Sequence, residues 1–360
     1  MPTNIEWTDE TWNPVTGCSK VSQGCKNCYA LREWPRLAAN PEATAYFGRE
    51  FTDVAVHPER LMAPLRWKKP RKIFVNSMSD LFHEDVPFDF IDRVFAVMAL
   101  SPQHIFQVLT KRPERMRDYM TFEGHGRWGF IDGRARQLYA KQHGRPFPPG
   151  KILLGPLPHV WMGVSVEDQA TADQRIPLLL QTPAAVRWIS AEPLLGPVDL
   201  TRLCRFNADT LARYTDALRG HSWDESAHDG GGPPLSDDPP DHVKLDWVVA
   251  GGESGPKARP MRPEWARGLR DQCAAAGVPF LFKQWGTWGP DWEGAATCQA
   301  CGQTKFDAIN SQGECGNCGA SDWLPASKPL DTLRRIGKKA AGRLLDGVLH
   351  DGYPEVGSDA

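Results

Sequence analysis

Short apolar runs rich in Val, Ile, Phe and Trp recur along the chain, and each gives way to polar residues at its carboxyl end. They are KIFVNSMSD (72–80), HIFQVLTKR (104–112), VWMGVSVED (160–168), VRWISAEP (186–193), DWVVAGGES (246–254) and PFLFKQWG (279–286). Runs that are apolar throughout, rather than alternating, suit strands of a parallel sheet buried on both faces. Between them, FDFIDRVFAVMAL (88–100), ATADQRIPLLLQ (170–181) and PEWARGLRDQCAAAG (263–277) read as helices, the last starting at Pro263 and stopping at Gly277. One strand before the first cysteines and a weak one near 53–57 bring the total to about eight, so the chain predicts an α/β fold, a full or partial TIM-like (β/α) barrel.

Three segments break the rhythm. Residues 120–158 are a Gly/Arg/Pro-rich connection, and 204–245 contain an acidic Gly/Pro stretch too poor in apolar residues to pack; both are expected to be mobile insertions. The third, 296–320, holds four cysteines, after which DTLRRIGKKAAGRLLDGVL (331–349) reads as a helix returning to the barrel. The expected organisation is a barrel over 1–295, an insertion over 296–320 and a C-terminal helix and tail over 321–360.

Composition narrows the function classes. With 42 Lys+Arg against 44 Asp+Glu and 41% hydrophobic residues, the 360-residue chain is neither a disordered activator nor a histone-like polycation. Any nucleic-acid surface is therefore local, with the runs 66–72, 110–117 and 333–343 as basic candidates. No apolar run approaches the ~20 residues of a membrane span, and MPTNIEWTDE lacks the pattern of a signal peptide, so a cytoplasmic protein is expected.

In a reducing compartment nine cysteines are better read as ligands than as disulfides. Cys18, Cys25 and Cys28 share one loop behind Gly17 and Gly24, and three thiolates there suit a metal centre with one position left open. A zinc site completed by His57, His83, Cys204 or Cys273 is the competing reading. Cys298, Cys301, Cys315 and Cys318 form two C-x-x-C knuckles, the pattern of a closed zinc ribbon. Strand ends of a parallel barrel converge on one mouth, which gathers Ser77, Ser79, Asp80, Lys111, Arg112, Glu167, Asp168, Glu192, Glu253, Lys283 and Gln284. Asp80 and His83 are candidates for proton transfer, Lys111 and Arg112 with Lys283 and Gln284 for holding an anionic group, and Glu167, Asp168 and Glu192 for ribose hydroxyls or an ammonium group.

GCSKVSQGCKNCYA, together with NSMSDLFHEDVP, LTKRPERM, WMGVSVED, ISAEPLLGPVDL, WVVAGGESGPKARPM, PFLFKQWG and GKKAAGRLLDG, resembles the phage-associated three-Cys-motif family, whose function is uncharacterised and which looks like the radical S-adenosylmethionine (SAM) enzymes. The resemblance implies a 4Fe-4S cluster on Cys18, Cys25 and Cys28, with SAM chelating the free iron and yielding a 5′-deoxyadenosyl radical. It also implies a reductase or flavodoxin-type electron donor, and Gly251, Gly252 and Glu253 resemble the Gly-Gly-Glu that holds the SAM amino group. Ser77, Ser79, Glu167, Glu192, Lys283 and Gln284 would then help to bind the cofactor, and Lys111 would join Asp80 and His83 in catalysis. Basic patches and phage association point to modification or repair of a nucleic-acid or nucleotide-related substrate. The rival readings are an iron–sulfur Lewis-acid enzyme and a non-catalytic, zinc-stabilised module that binds nucleic acid or a protein partner.

Overall fold

The computed structural model describes residues 3, 5–124, 126–148, 155–206, 212–224, 242–290, 297–298, 300, 318, 323–324 and 333–355. Seven strands make one sheet: β1 (Glu10–Trp12), β2 (Lys72–Val75), β3 (Ile105–Thr110), β4 (Val160–Val166), β5 (Val186–Ala191), β6 (Trp247–Gly251) and β7 (Phe280–Gln284). Their spatial order is their chain order, and every neighbouring pair is parallel. A parallel sheet wound in one direction, without reversal, carries its crossovers on one face and curls. The result is a half-barrel; among the described residues β1 and β7 do not pair, so the full barrel is not formed.

Strand parity explains the continuous apolar runs. Ile73, Val75, Val108, Met162, Val164, Ile189, Val248 and Phe282 face the helices α2 (Phe88–Ala99), α5 (Gln169–Gln181) and α6 (Pro263–Ala276) in the main core. The alternate positions Phe74, Trp161, Trp188, Trp247 and Leu281 form a second core with Trp7 on the inner face. Its rings are close, with Trp7 and Trp188 centroids 5.1 Å apart and Trp188 and Trp247 5.2 Å apart. Gly163 makes room for this layer, because a Cβ there would lie 2.5 Å from the Trp188 indole. Gly163→Ala is therefore expected to cost about 1–3 kcal/mol by overpacking. It should lower the urea midpoint at unchanged slope and alter the near-ultraviolet tryptophan dichroism; an unchanged midpoint would count against this packing.

The open seam is filled near the two ends of the chain. Gly352 N–H donates to Phe280 O at 3.0 Å and Phe282 N–H to His350 O at 2.9 Å, so the edge of β7 is covered. Tyr353 stacks on Trp247 with centroids 5.2 Å apart, and its hydroxyl donates to Glu6 O at 3.4 Å.

The three expected helices form as α2, α5 and α6, and Gly277 ends α6 at φ 66. Three expectations are corrected. Residues 120–158 contain helix α4 (Trp128–His143), which follows α3 (Pro113–Met120) and buries Trp128, Ile131 and Ala135 at helical spacing. Residues 203–206, 212–216 and 221–224 pair as an antiparallel sheet where a mobile insertion was expected. The segment 331–349 forms a strand at 333–335, a turn of helix at 338–341 and a hairpin at 344–349, broken by Gly337, Gly342 and Gly347, all at positive φ. The weak strand expected near 53–57 forms at Ala55–Val56 and pairs with Val15–Thr16, outside the main sheet. Among the described residues no helix is long and apolar enough to cross a membrane.

Candidate functional site

The three-cysteine loop lies over the carboxyl ends of the strands, and local sterics fix its start. Gly17 has φ 91, and a Cβ there would meet Asp53 O at 2.5 Å, so only glycine lets the chain pass. Cys18 N–H donates to Phe51 O at 2.8 Å; Cys25 ends a 3₁₀ turn (Gln23–Cys25), and Cys28 caps helix α1 (Tyr29–Ala38). Ala30 and Trp34 of α1 bury against Tyr46, Phe51 and Met78, with Cys18 and Cys28 at the margin of that cluster.

Strand parity also sets the charged layer above the tryptophans, where Lys111, Glu167, Glu192 and Lys283 follow the inward positions of β3, β4, β5 and β7. They neutralise one another: Lys111 Nζ lies 2.7 Å from Glu167 and Lys283 Nζ 2.7 Å from Glu192. The Glu192–Lys283 pair crosses β6 at Gly251, where a Cβ would stand 3.4 Å from both side chains. Gln284 supports Glu192 with a 2.9 Å hydrogen bond.

Two glutamates tie the loop to this layer. Glu167, fully buried, accepts from Ser22 Oγ at 3.0 Å and is flanked by Arg175 Nη1 at 3.2 Å. Gly24 lies directly on it, since a Cβ there would be 2.3 Å from Glu167 Oε1. Burial opposes ionisation of Glu167, but Lys111 and Arg175 outweigh it and hold the carboxyl below the usual glutamate range. Glu253 accepts from Asn27 Nδ2 at 2.9 Å and forms a forked pair with Arg259 at 2.9 and 2.7 Å, which overcomes its burial in the same way. The Gly-Gly-Glu stretch therefore has a structural account. At Gly252 a Cβ would stand 1.9 Å from Trp285 O, and Glu253 is engaged by Arg259 and Asn27.

A third tie runs through Arg112, which is 4% exposed. Its guanidinium reaches Asp80 at 3.2 Å, Glu84 at 3.0 Å, Ser19 Oγ at 2.7 Å and Cys18 Sγ at 3.7 Å. Asp80 also accepts from Phe82 N–H, Thr110 Oγ1 and Lys111 N–H, so it is fully engaged as an acceptor. His83 Nδ1 accepts from Asp85 N–H at 3.2 Å, which leaves Nε2 as the donor to Ser19 Oγ at 2.8 Å. Burial and the neighbouring Arg112 push His83 below the usual histidine range, favouring the neutral ring. Burial and Asp80 together push the Cys18 thiol up to about 12. Ser77 Oγ and Ser79 Oγ donate to Asn13 Oδ1 and Val15 O, bracing the turn after β2.

Three soft thiols on one loop are a donor set suited to zinc or an iron–sulfur cluster, with at least one coordination position left for another ligand. Among the described residues, however, no three His, Cys, Asp or Glu groups are gathered closely enough to hold a metal ion. Cys301 and Cys315, and with them the four-thiol site, lie outside the described residues. Cys273 is a core residue, with burial raising its thiol to about 12; Cys204 is half-buried on strand 203–206.

Sequence reasoning missed Ser22, Asn27, Arg175 and Arg259, because nothing in their local motifs shows which distant carboxylate they meet. The basic runs also fall differently from expectation. Residues 66–72 lead into the amino end of β2, away from the mouth, and Arg112, Arg115 and Arg117 are engaged within the fold. Arg335, from the run 333–343, does reach the mouth, donating to Gly255 O and Pro256 O. Other cations at the mouth are the exposed Lys20, Lys26 and Lys257, which form no ion pair among the described residues; Asn27 joins Lys257 to the loop through a 2.8 Å hydrogen bond.

The family model described as a protein of unknown function, DUF5131, matches residues 2–354. No curated protein and no solved structure matches the chain.

Proposed function

We propose that this chain, which belongs to the DUF5131 family, is a radical-SAM-type iron–sulfur enzyme that modifies or repairs a nucleic-acid or nucleotide-related substrate. The supporting observation is the placement of Cys18, Cys25 and Cys28 on one loop tied by Glu167, Glu253 and Arg112 over the carboxyl end of a singly wound parallel half-barrel. Kinship with radical-SAM enzymes and phage association belong to this proposal, as does a structural zinc on Cys298, Cys301, Cys315 and Cys318. A 4Fe-4S cluster on the three thiols would offer a free iron to SAM and pass it an electron from a reductase or flavodoxin-type donor.

The chain's own residues supply position and shielding. The tryptophan layer closes the barrel floor, and the paired Lys111–Glu167 and Lys283–Glu192 form a polar wall without an uncompensated charge. Lys20, Lys26 and Lys257, with the partly exposed ring of Tyr29, offer cations and an aromatic face to a phosphate-bearing substrate. Asp80 and His83 hold the turn beside Cys18 through their hydrogen bonds and, with Lys111, are the candidates for proton transfer in this reading.

The pairing of Lys111 with Glu167 and of Lys283 with Glu192 favours a second reading, a non-catalytic metal-stabilised module for nucleic acid or a protein partner. Anaerobic reconstitution with iron and sulfide separates the two. The enzyme reading expects a brown protein whose reduced electron paramagnetic resonance (EPR) signal changes with SAM and which releases 5′-deoxyadenosine, both lost in Cys25→Ala. Colourless wild-type protein carrying only zinc would overturn it.

A further inference from the structure

We infer that Arg112 is the positioning residue for the sulfur of Cys18, anchoring it by an N–H···S hydrogen bond from outside the three-cysteine loop. This rests on the reading that the three-cysteine loop holds a cluster. Arg112 leaves β3 at its carboxyl end and turns back under the loop, where it is 4% exposed. Its three guanidinium nitrogens have separate tasks. Nε meets both Glu84 oxygens at 3.0 Å, Nη1 spans Asp80 Oδ2 at 3.2 Å and Cys18 Sγ at 3.7 Å, and Nη2 reaches Ser19 Oγ at 2.7 Å and Ser19 O at 3.3 Å.

A planar fork held on both sides by carboxylates has little freedom to turn, so the N–H directed at the sulfur is fixed by the others. Ser19 is clamped as well, because His83 Nε2 lies 2.8 Å from the same hydroxyl. The peptide unit carrying Cys18 is thus set from outside the loop. A purely structural ion pair with Asp80 would need neither Ser19 nor the sulfur, and a lysine would satisfy it. A hydrogen bond to a ligating sulfur, by contrast, stabilises the ligand and withdraws electron density from the metal centre.

The test is Arg112→Lys in the full chain, reconstituted anaerobically with iron and sulfide beside wild type. Arg112→Lys is expected to release iron to a ferrous chelator about tenfold faster than wild type, with a shifted EPR signal of the reduced protein. Equal release rates and identical signals would overturn the inference while leaving the cluster reading intact. Wild-type protein that takes up no iron would overturn both. Should Arg112→Lys fail to fold, Ser19→Ala removes the 2.7 Å acceptor without breaking the Asp80 pair; faster release is expected there too, and unchanged release would overturn the inference.

Discussion

Glu167→Gln is expected to destabilise the protein by about 3–5 kcal/mol, the cost of leaving the buried Arg175 and the half-buried Lys111 without their carboxylate. Glu167 has no solvent exposure, Arg175 is 3% exposed, and Lys111 Nζ is 2.7 Å away. Arg175 keeps Ser165 O at 2.7 Å, but a neutral amide cannot offset two positive charges. The sign of the pH dependence follows from the lowered carboxyl. Its contribution is whole above the ordinary glutamate value of 4.5 and is lost as pH falls through the lower folded value. Urea midpoints measured from neutral pH into the acid range should therefore converge between wild type and Glu167→Gln as pH drops. A constant gap across that range would mean that Glu167 is not the paired, ionised group described.

The effect reaches beyond stability, because the same carboxylate accepts from Ser22 Oγ in the cysteine loop. Removing it frees one tie of several; Glu253 through Asn27, Asp168 through Gln23 and Arg112 through Ser19 remain. The loop should loosen without detaching. Iron uptake by Glu167→Gln should then be reduced yet measurable, in contrast to Cys25→Ala.

The barrel layers were legible in the sequence because both faces of each strand are apolar, one toward the helices and one toward the tryptophans, so no alternation obscured the runs. The mouth was legible as a place but not as a network. Glu192 and Lys283 are 91 residues apart, and nothing local shows that they meet across Gly251. Polar residues at strand ends read naturally as ligands for something absent, whereas most of them hold one another. The C-terminal segment misled for a different reason. Its Leu and Ile positions mimic a helix, but Gly337, Gly342 and Gly347 stand five residues apart at positive φ and turn the chain each time. Read as punctuation, those glycines would have predicted the short strand and hairpin found there.

If the loop holds the proposed cluster, Gly24→Ala is expected to abolish its uptake while every cysteine remains. The added Cβ would fall 2.3, 2.5 and 2.6 Å from Oε1, Cγ and Cδ of Glu167. A side chain normally swings away from such an intrusion, but Glu167 is held by Lys111, Arg175 and Ser22 and has no solvent to move into. The turn carrying Cys25 must rise instead, or the ion pairs must break. If the turn rises, the loss of stability should be about 1–3 kcal/mol, the usual cost of overpacking; if the ion pairs break, it should approach the value of about 3–5 kcal/mol expected for Glu167→Gln. Gly129→Ala, in α4 with nothing within 4 Å of its Cβ, is the control and should be neutral or slightly stabilising. The decisive arrangement is a double-mutant cycle with Glu167→Ala, which removes the three atoms that the methyl would strike. If the clash is the cause, adding Gly24→Ala to Glu167→Ala should cost much less than adding it to wild type, whereas additive losses would place the role of Gly24 elsewhere.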